Sequence, residues 1–246
     1  MLKNIKLTIE YDGTNYHGWQ RQKKVPTIQE KIEFAILRMT RQSVSLIGSG
    51  RTDAGVHALG QVANFVVDTT LNTEILKNGL NSLLPSDIVI RKVEEADISF
   101  HARYNCKEKC YQYHILNHEL SSAIMRHFVW HIRLPLDIEK MNEAARSLLG
   151  EHDFSAFEGS GSERKSPIRK ITGIEFNRST EERLVISIFA SGFLRHMARN
   201  IVGTLVSVGK GLISIDDFGH ILPSKNRQNA GATAPAHGLF LWRVWY

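Results

Sequence analysis

The sequence contains only two cysteines, Cys106 and Cys110, among its 246 residues. Two cysteines are too few for the disulfide framework that holds small secreted domains together, so we expect reduced thiols. No stretch is long and apolar enough to span a membrane, and the N-terminal residues alternate between apolar and polar instead of forming the apolar core of a signal peptide. These absences predict a soluble protein of the cytoplasm with no membrane partner.

Charge of neither sign is in large excess. The 31 Lys and Arg residues against 25 Asp and Glu give a formal net charge of +6. An excess of this size favours a polyanionic partner, although a merely basic surface explains it equally well. The length allows one large domain or two ordinary ones, and the 42% content of hydrophobic residues is enough for well-packed cores.

Six elements are predicted in the first half of the chain, in the order β-α-β-β-α-β. Thr27 and Glu30 form a capping box for the first helix, and Asn72 caps the second. The strands are predicted at 5–11, 43–47, 62–67 and 87–93, and the helices run from these caps to about Arg41 and toward Pro85. This order is the split βαβ or ferredoxin-like pattern, in which two helices cover one face of an antiparallel sheet.

The second half repeats this scheme in element order, without sequence identity between the halves. Strands are predicted at 108–117, 128–133, 168–176, 183–189 and 238–245, and helices from Asp137 to Gly150 and from about Gly192 to Val208. We therefore expect an α+β fold of two ferredoxin-like domains, 1–105 and 106–246, whose antiparallel sheets meet to form a central basic cleft. Arg195 and Arg199 would share one face of the last helix, because they are four residues apart.

The segment 159–167 between these elements is polar and rich in glycine and serine. Such a composition predicts a mobile loop. Its Arg164 and Lys165 could contact an RNA backbone, but a solvated surface loop is the better interpretation.

Residues 48–65, GSGRTDAGVHALGQVANF, place four glycines, one arginine, one aspartate and one histidine between two apolar runs. Glycines allow positive φ angles or a close approach of backbone to a ligand. Such a loop can hold Asp53 against a substrate, with Arg51 nearby to grip a phosphate or a base. A GSG motif alone is more often an ordinary glycine-rich hairpin, and no Gly-Lys-Ser/Thr follows it as in a phosphate-binding loop.

The run from Gly50 to Ala58, GRTDAGVHA, resembles the signature of the TruA family of tRNA pseudouridine synthases. A nine-residue run is far more specific than composition. In that family the aspartate of the motif is the catalytic nucleophile, and the resemblance carries this role to Asp53. Similar blocks are spread over nearly the whole chain, at 11–14, 17–20, 100–103, 152–154 and 234–239.

Two further motifs resemble family patterns. Residues 193–203, FLRHMARNIVG, resemble a later motif whose final arginine, Arg199 here, pairs with the catalytic aspartate. The pattern K-x-Y-x-Y at 109–113 resembles one whose first tyrosine, Tyr111, lies beside the target base and takes part in removing the proton from C5. Without the family, Arg199 would be read as a helix-surface ion pair and the tyrosines Tyr111 and Tyr113 as half-buried sheet packing.

The resemblance implies two groups of site residues. The catalytic residues are Asp53, Arg199 and Tyr111. The substrate-binding residues are Gly50, Arg51, His57, Gln61, Tyr111, Arg195 and His196.

The spacing of Cys106, Cys110, His114 and His118 superficially suggests a zinc site. Residues four apart on a strand lie roughly 13 Å apart, and the interval between Cys110 and His114 is far short of zinc-finger spacing. We therefore expect no metal, and the family needs no cofactor.

The implied reaction converts uridines at positions 38, 39 and 40 of the tRNA anticodon stem-loop into pseudouridine. A stacked target base must be extruded, and Arg51 is the candidate to occupy the gap. Members of the family act as homodimers, and the apolar C-terminal run at 239–246 is compatible with a dimer contact or with a core strand.

Two other functions remain open from the sequence. A non-catalytic RNA-binding protein is possible because ferredoxin-like sheets with exposed aromatic residues bind RNA widely. An acid such as Asp53 in the middle of a polyanion site argues against it. The other alternative is a hydrolase with Asp53 as nucleophile, which would release free uracil.

Overall fold

The computed structural model describes residues 1–161, 166–178 and 180–246. These residues form two compact units, Met1–Lys107 with Phe240–Tyr246, and Glu108–Leu239. The boundary between the units after Lys107 lies close to the expected boundary at 105. The second unit is shorter than the expected domain 106–246, because residues 240–246 belong to the first unit. Of the predicted mobile loop, Arg164 and Lys165 lie outside the described residues.

The first unit is built around a sheet with β1 (Leu2–Tyr11) between two antiparallel neighbours. These are β3 (His57–Asp68) and β4 (Ile88–Ala96), and the short β2 (Ile47–Gly48) pairs with β3 at Asn64 and Ala63. The helices are α1 (Ile28–Thr40) and α2 (Thr73–Leu83). The predicted order β-α-β-β-α-β is confirmed.

The alternation along β1 sets the core of this unit. Ile5, Leu7 and Ile9 have no exposed surface. Ile32 and Ile36 of α1 are equally buried, so the predicted apolar stripe of α1 faces a core. Burial of a side chain of this size contributes about 1.5–3 kcal/mol.

The two helices of the first unit begin differently. Asn72 caps α2 as predicted, because its side chain accepts a hydrogen bond from the amide of Ile75 at 2.8 Å. The capping box predicted for α1 is wrong: Thr27 Oγ1 is buried and has no hydrogen-bond partner among the described residues. Instead, the amides of Ile28 and Gln29 donate to the carbonyl oxygens of Gly18 and Trp19 at 3.2 and 3.0 Å.

The strand predicted at 43–47 is wrong for most of its length, because only Ile47 and Gly48 pair with a neighbour. The backbone of Leu46 is occupied by side chains of α1. Its amide donates to Glu33 Oε1 at 3.0 Å, and its carbonyl accepts from Gln29 Nε2 at 3.0 Å. The β-branched composition of 43–47 predicted a strand, but side chains of α1 take the place of a neighbouring strand at Leu46.

The second unit contains a sheet in the order β6-β5-β9-β8-β7 and three helices. Its strands are β5 (Glu108–Asn117), β6 (Trp130–Ile132), β7 (Gly150–Asp153), β8 (Ile168–Arg178) and β9 (Arg183–Ala190), and its helices are α3 (Ile138–Ala145), α4 (Met197–Gly209) and α5 (Ile215–Ser224). All strand pairs in this order are antiparallel except β6 with β5. β7 and α5 were not predicted. Within the described ranges, no helix is long and apolar enough to cross a membrane.

The start predicted for α4 at about Gly192 is wrong. The helix begins at Met197, and His196 before it has φ 59° and ψ 0°, which is a left-handed conformation. The carbonyl of Arg195 accepts the amide of Gly159 at 2.8 Å. Because Arg195 precedes the helix, it does not share a helix face with Arg199 as expected.

The last strand, β10 (Leu239–Trp245), forms within one residue of the predicted range 238–245. Phe240 and Leu241 pair in parallel with His57 and Ala58 of β3. Gly60 permits the approach, since a Cβ there would lie 2.4 Å from the carbonyl oxygen of Trp242. Periodicity identified this strand, but it could not identify the partner.

Replacing Thr27 by valine should leave the free energy of unfolding unchanged or raise it by about 1 kcal/mol, because an unpartnered buried hydroxyl is exchanged for a methyl of the same shape. Asn72→Ala removes a cap that is made and should lower the free energy of unfolding by about 1 kcal/mol. Urea denaturation followed by circular dichroism measures both. A loss for Thr27→Val as large as that for Asn72→Ala would show that Thr27 caps α1.

Candidate functional site

The loop that carries Asp53, residues 49–56, is held against the segment 13–19. The amide of Trp19 donates to the carbonyl of Thr52 at 3.1 Å, and the amide of Gly55 donates to the carbonyl of Tyr16 at 3.3 Å. Within the loop, the amide of Val56 donates to the carbonyl of Asp53 at 3.2 Å. Backbone contacts on both sides of Asp53 therefore fix the course of the chain there.

Two glycines of the segment 13–19 make this contact possible. A Cβ at Gly13 would lie 2.0 Å from the carbonyl oxygen of Val56. At Gly18, whose φ is +85°, a Cβ would lie 2.4 Å from the carbonyl oxygen of Thr52. Any side chain at either position would push the Asp53 loop away.

A network of buried polar side chains also holds the loop in place. The Tyr11 hydroxyl and Thr52 Oγ1 lie 2.8 Å apart. Gln61, which has no exposed surface, donates from Nε2 to the carbonyl of Gly50 at 2.9 Å and accepts from Ser49 Oγ at 2.7 Å. Burial raises the pKa of Tyr11, against the effect of its hydrogen bonds, so its hydroxyl stays neutral.

Asp53 is half-buried, between the buried Thr52 and the exposed Ala54. Arg51 is exposed, and its Nε donates to Gln20 Oε1 at 3.1 Å. Gln20 in turn donates to Gln29 of α1 at 2.9 Å. Both predicted charged residues of the loop thus reach solvent while the backbone between them is fixed.

His57, at the start of β3, is 1% exposed. Its Nδ1 accepts the amide hydrogen of Gly13 at 3.0 Å, and its ring stacks on Phe240 with centroids 4.8 Å apart. The His57 side chain therefore adds a further hydrogen bond between the end of the loop and the segment 13–19.

Arg199 lies in the first turn of α4 and is half-buried. Its Nε donates to the carbonyl of Ala234 at 2.8 Å, and the amide of Ala234 donates back to the carbonyl of Arg199 at 3.1 Å. The Tyr113 hydroxyl donates to the next carbonyl, of Pro235, at 2.8 Å. Burial raises the pKa of Tyr113, and the positive charge of Arg199 opposes this shift.

Tyr111 lies on β5, two residues before Tyr113, and is 7% exposed. Its ring meets Phe193 edge to face, with centroids 4.8 Å apart. Edge-to-face pairs of this kind add about 0.5–1.5 kcal/mol beyond the area they bury. The Tyr111 ring is therefore held in one orientation by Phe193.

Arg195 and His196 lie in the turn before α4. Arg195 is exposed and donates from its guanidinium to the carbonyls of Ser160 and Gly161 at 2.8 and 3.1 Å. A Cβ at Gly159 would lie 2.5 Å from Nδ1 of His196, so glycine is required beside this ring. The turn and the segment 159–161 thus fix each other.

Sequence reasoning missed a buried network that fixes residues 227–235, the strap, on α4. Asn200 has no exposed surface, and its Oδ1 accepts from Arg227 at 3.1 Å and from Thr233 Oγ1 at 2.7 Å. Its Nδ2 donates to the carbonyl of Phe157 at 2.8 Å. Asn200 directly follows Arg199, so this network also fixes the carbonyl of Ala234 that holds the Arg199 side chain. Its signal in the sequence was a polar residue in an apolar helix.

The predicted site residues fall into two groups. Gly50, Arg51, Asp53, His57 and Gln61 surround one loop of the first unit. The second unit carries Tyr111, Arg195, His196 and Arg199.

A family model described as tRNA pseudouridine synthase matches residues 7–105 and 144–246. Proteins named tRNA pseudouridine synthase A from Acetivibrio thermocellus and Thermoanaerobacter sp. are 50% and 49% identical over 246 and 245 residues, covering 100% of this chain and of each relative. The chain belongs to the tRNA pseudouridine synthase family. A Clostridium tetani protein named tRNA pseudouridine synthase A 2 is 47% identical over 248 residues, again with complete coverage of both chains.

The ranges matched to the family include the Asp53 loop and α4 but not Tyr111, which lies between them. Among solved structures, a chain from the crystal structure of a Cbf5-Nop10-Gar1 complex aligns with 82% of this chain and 54% of that chain. The TM-score is 0.33 and the identity 15%, too low to support any conclusion.

Among the described residues, Cys106 and Cys110 form no disulfide bond. Burial, with Glu175 and Glu108 adding to it, raises the pKa of Cys110 to about 12, so its thiol stays protonated. In the part of the chain that the structure describes, no three His, Cys, Asp or Glu side chains form a group that could hold a metal ion.

Gly203 of α4 packs against the strap, and a Cβ there would lie 1.8 Å from the carbonyl oxygen of Ala232. Gly203→Ala should therefore lower the free energy of unfolding by about 1–3 kcal/mol, since either the strap or α4 must move. Gly219 of α5 is the matched control, because a Cβ there meets nothing within 4 Å. Gly219→Ala should raise stability by up to about 1 kcal/mol through helix propensity.

Urea denaturation of both glycine variants measures these effects. Equal unfolding midpoints for Gly203→Ala and Gly219→Ala would contradict the close packing of the strap on α4.

Proposed function

We propose that this protein is a tRNA pseudouridine synthase, which isomerises uridine in tRNA to pseudouridine. The observation that supports this most strongly is the family match across both units, together with relatives named tRNA pseudouridine synthase A that align over their whole length. The fixed loop around a half-buried aspartate agrees with it, because covalent catalysis needs a positioned nucleophile.

The reaction exchanges one glycosidic bond for another. The bond between N1 of uracil and C1′ of ribose breaks, the detached uracil turns, and C5 bonds to C1′. C5 then loses its proton and N1 carries one, so substrate and product contain the same atoms. The proposed reaction is an isomerisation, so it would consume no cofactor.

Asp53 is the proposed nucleophile. It either attacks C1′ of the ribose or removes the proton from C2′, and both routes require an ionised carboxylate. The loop brings this carboxylate to a surface that solvent reaches, while Thr52 on one side is buried. Such a position combines a fixed backbone with room for a substrate.

Arg199 and Tyr111 are the other proposed catalytic residues. The role that the resemblance gives Arg199 is to favour the ionised form of the catalytic aspartate, as a guanidinium does. Its side chain is preorganised by the carbonyl of Ala234. Tyr111, oriented by Phe193, is proposed to take part in removing the C5 proton.

Gly50, Arg51, Arg195 and His196 are proposed to contact the RNA substrate. His57 and Gln61 were also expected to bind substrate, but both side chains are buried. Their proposed role is therefore to position the Asp53 loop.

The proposed substrate region is the anticodon stem-loop, at positions 38, 39 and 40. Extrusion of a stacked base costs a few kcal/mol, and the exposed Arg51 is proposed to occupy the gap that the base leaves. The net charge of +6 suits a polyanionic substrate.

The remaining expectations stay predictions. They are that both units are ferredoxin-like domains with a central basic cleft, that the protein is a homodimer, and that it acts in the cytoplasm.

Incubation with a tRNA transcript in the absence of added cofactor should produce pseudouridine. After digestion to nucleosides, chromatography with mass detection separates pseudouridine from uridine of equal mass. Transcripts in which the uridines at 38, 39 and 40 are replaced one at a time identify the modified positions. Free uracil as the product would indicate a hydrolase, and tRNA that is bound but unchanged would indicate a non-catalytic RNA-binding protein.

Asp53→Asn should reduce turnover by at least about 10²-fold and keep near-native affinity for tRNA, because it removes a catalytic charge without removing an RNA contact. Arg51→Ala should reduce both turnover and affinity. Filter binding measures affinity, and pseudouridine formation measures turnover.

Asp216→Asn is the matched control, since Asp216 is an exposed carboxylate in the first turn of α5. It should change neither quantity. Loss of affinity in Asp53→Asn with native affinity in Arg51→Ala would contradict the two assigned roles.

A further inference from the structure

Tyr104 is an exposed aromatic residue that the fold does not use. It is 77% exposed, although most large hydrophobic side chains of this unit are buried. One face of its ring stacks on His101, with centroids 4.2 Å apart and planes at 26°. The guanidinium of Arg103 lies 5.9 Å from the centre of the same ring. These three residues, the aromatic platform, combine a ring face with a positive charge.

The local backbone of the platform is fixed by its own polar groups. Nδ1 of His101 accepts the amide hydrogens of Arg103 and Tyr104, both at 3.2 Å. The amide of His101 donates to Asn105 Oδ1 at 2.7 Å. Because the His101 ring is held in this way, the ring that stacks on it is preorganised.

The segment 100–102, which leads into the platform, is anchored to the core of the first unit by two buried asparagines. Asn4 Nδ2 donates to the carbonyl of Phe100 at 2.8 Å, and Asn64 Oδ1 accepts the amide of Ala102 at 2.8 Å. Asn4 and Asn64 are each 2% exposed. The Tyr246 hydroxyl donates to the carbonyl of Ala102 at 2.7 Å. The platform is therefore an exposed aromatic surface on a rigid support.

We propose that the aromatic platform stacks an unpaired base of the bound tRNA, with Arg103 beside the phosphate of that nucleotide; this rests on the proposed function. A base that stacks on an exposed ring must be unpaired or at a strand end, because paired bases already stack on their neighbours. Rigid rings lose little conformational freedom when a base binds, and an arginine adds attraction for the backbone.

The surroundings of the platform favour RNA over a second protein surface. The neighbours Arg103, Asn105 and Lys107 are exposed, and two of them carry positive charge. A protein interface of this kind would need a contiguous apolar patch around the aromatic ring. An exposed ring flanked by cations is instead typical of single-stranded nucleic-acid binding.

Tyr104→Ala should raise the Kd for tRNA by about 5- to 150-fold, the range for loss of one base–aromatic stack. Tyr104→Phe keeps the ring and should bind like the wild type. KM for pseudouridine formation should rise with Kd while kcat stays unchanged, because a base that stacks equally in the ground state and the transition state contributes uniform binding. A long RNA duplex, which has no unpaired base and few bases at its ends, should bind equally well to wild type and Tyr104→Ala.

Phe34→Ala is the matched control. Phe34 is 56% exposed on α1, and the guanidinium of Arg38 lies 5.8 Å from its ring, so it has the same arginine–aromatic chemistry without the rigid stack. It should leave Kd unchanged. Equal effects of Phe34→Ala and Tyr104→Ala would overturn the assignment of a specific platform.

Native affinity in Tyr104→Ala, with a native circular dichroism spectrum, would overturn the stacking proposal and leave the proposed function intact if the wild type forms pseudouridine. A change of oligomeric mass in Tyr104→Ala without a change in Kd would overturn it in favour of a contact between copies. Failure of the wild type to form pseudouridine would instead overturn the proposed function.

Discussion

The contact between the backbone of residues 13–19 and the loop 49–56 is the constraint on which the site of the first unit depends. Gly13 and Gly18 touch carbonyl oxygens of the loop at distances that no side chain would allow. The same segment also receives the first amides of α1 through the carbonyls of Gly18 and Trp19. A single stretch of chain therefore fixes both the helix start and the Asp53 loop.

The second unit uses a buried polar residue for the same purpose. Asn200 lies in an apolar helix, and its side chain hydrogen-bonds to Arg227 and Thr233 of the strap and to Phe157. An unsatisfied buried amide would cost about 1–3 kcal/mol, so the strap has one well-defined position. Because the carbonyl of Ala234 in the strap accepts a hydrogen bond from Arg199, the strap also fixes the Arg199 side chain. The Arg199 side chain is thus oriented by a backbone carbonyl that distant residues hold, and the backbone of the Asp53 loop is fixed by hydrogen bonds to the segment 13–19.

Sequence periodicity predicted most of the elements because apolar spacing is a local property. The strand at 108–117 was found in this way, and the cap at Asn72 was found from its residue type. The failures occur where a distant group decides the structure. Glu33 and Gln29 hydrogen-bond to the backbone of Leu46, and β3 pairs with the C-terminal strand. No pattern within 43–47 or 239–245 contains that information.

The candidate site was predicted by motif rather than by periodicity. The run GRTDAGVHA identified the loop, but the residues that hold it, Gly13, Gly18 and Tyr11, lie far away in sequence. The motif could not distinguish residues that contact the substrate from residues that hold the loop in place. The structure places His57 and Gln61 in the interior. The start of α4 was misjudged because a left-handed residue at His196 interrupts an apolar spacing that continues across it.

Tritium release under single-turnover conditions tests the central claim most directly, that Asp53 acts in the exchange of N1 for C5. A tRNA labelled at C5 of uridine is saturated with wild type or with Asp53→Asn, in the presence of a chelator. Release by the wild type alone is the predicted result. Release by Asp53→Asn at the wild-type rate, or release by the wild type that the chelator abolishes, would contradict the account.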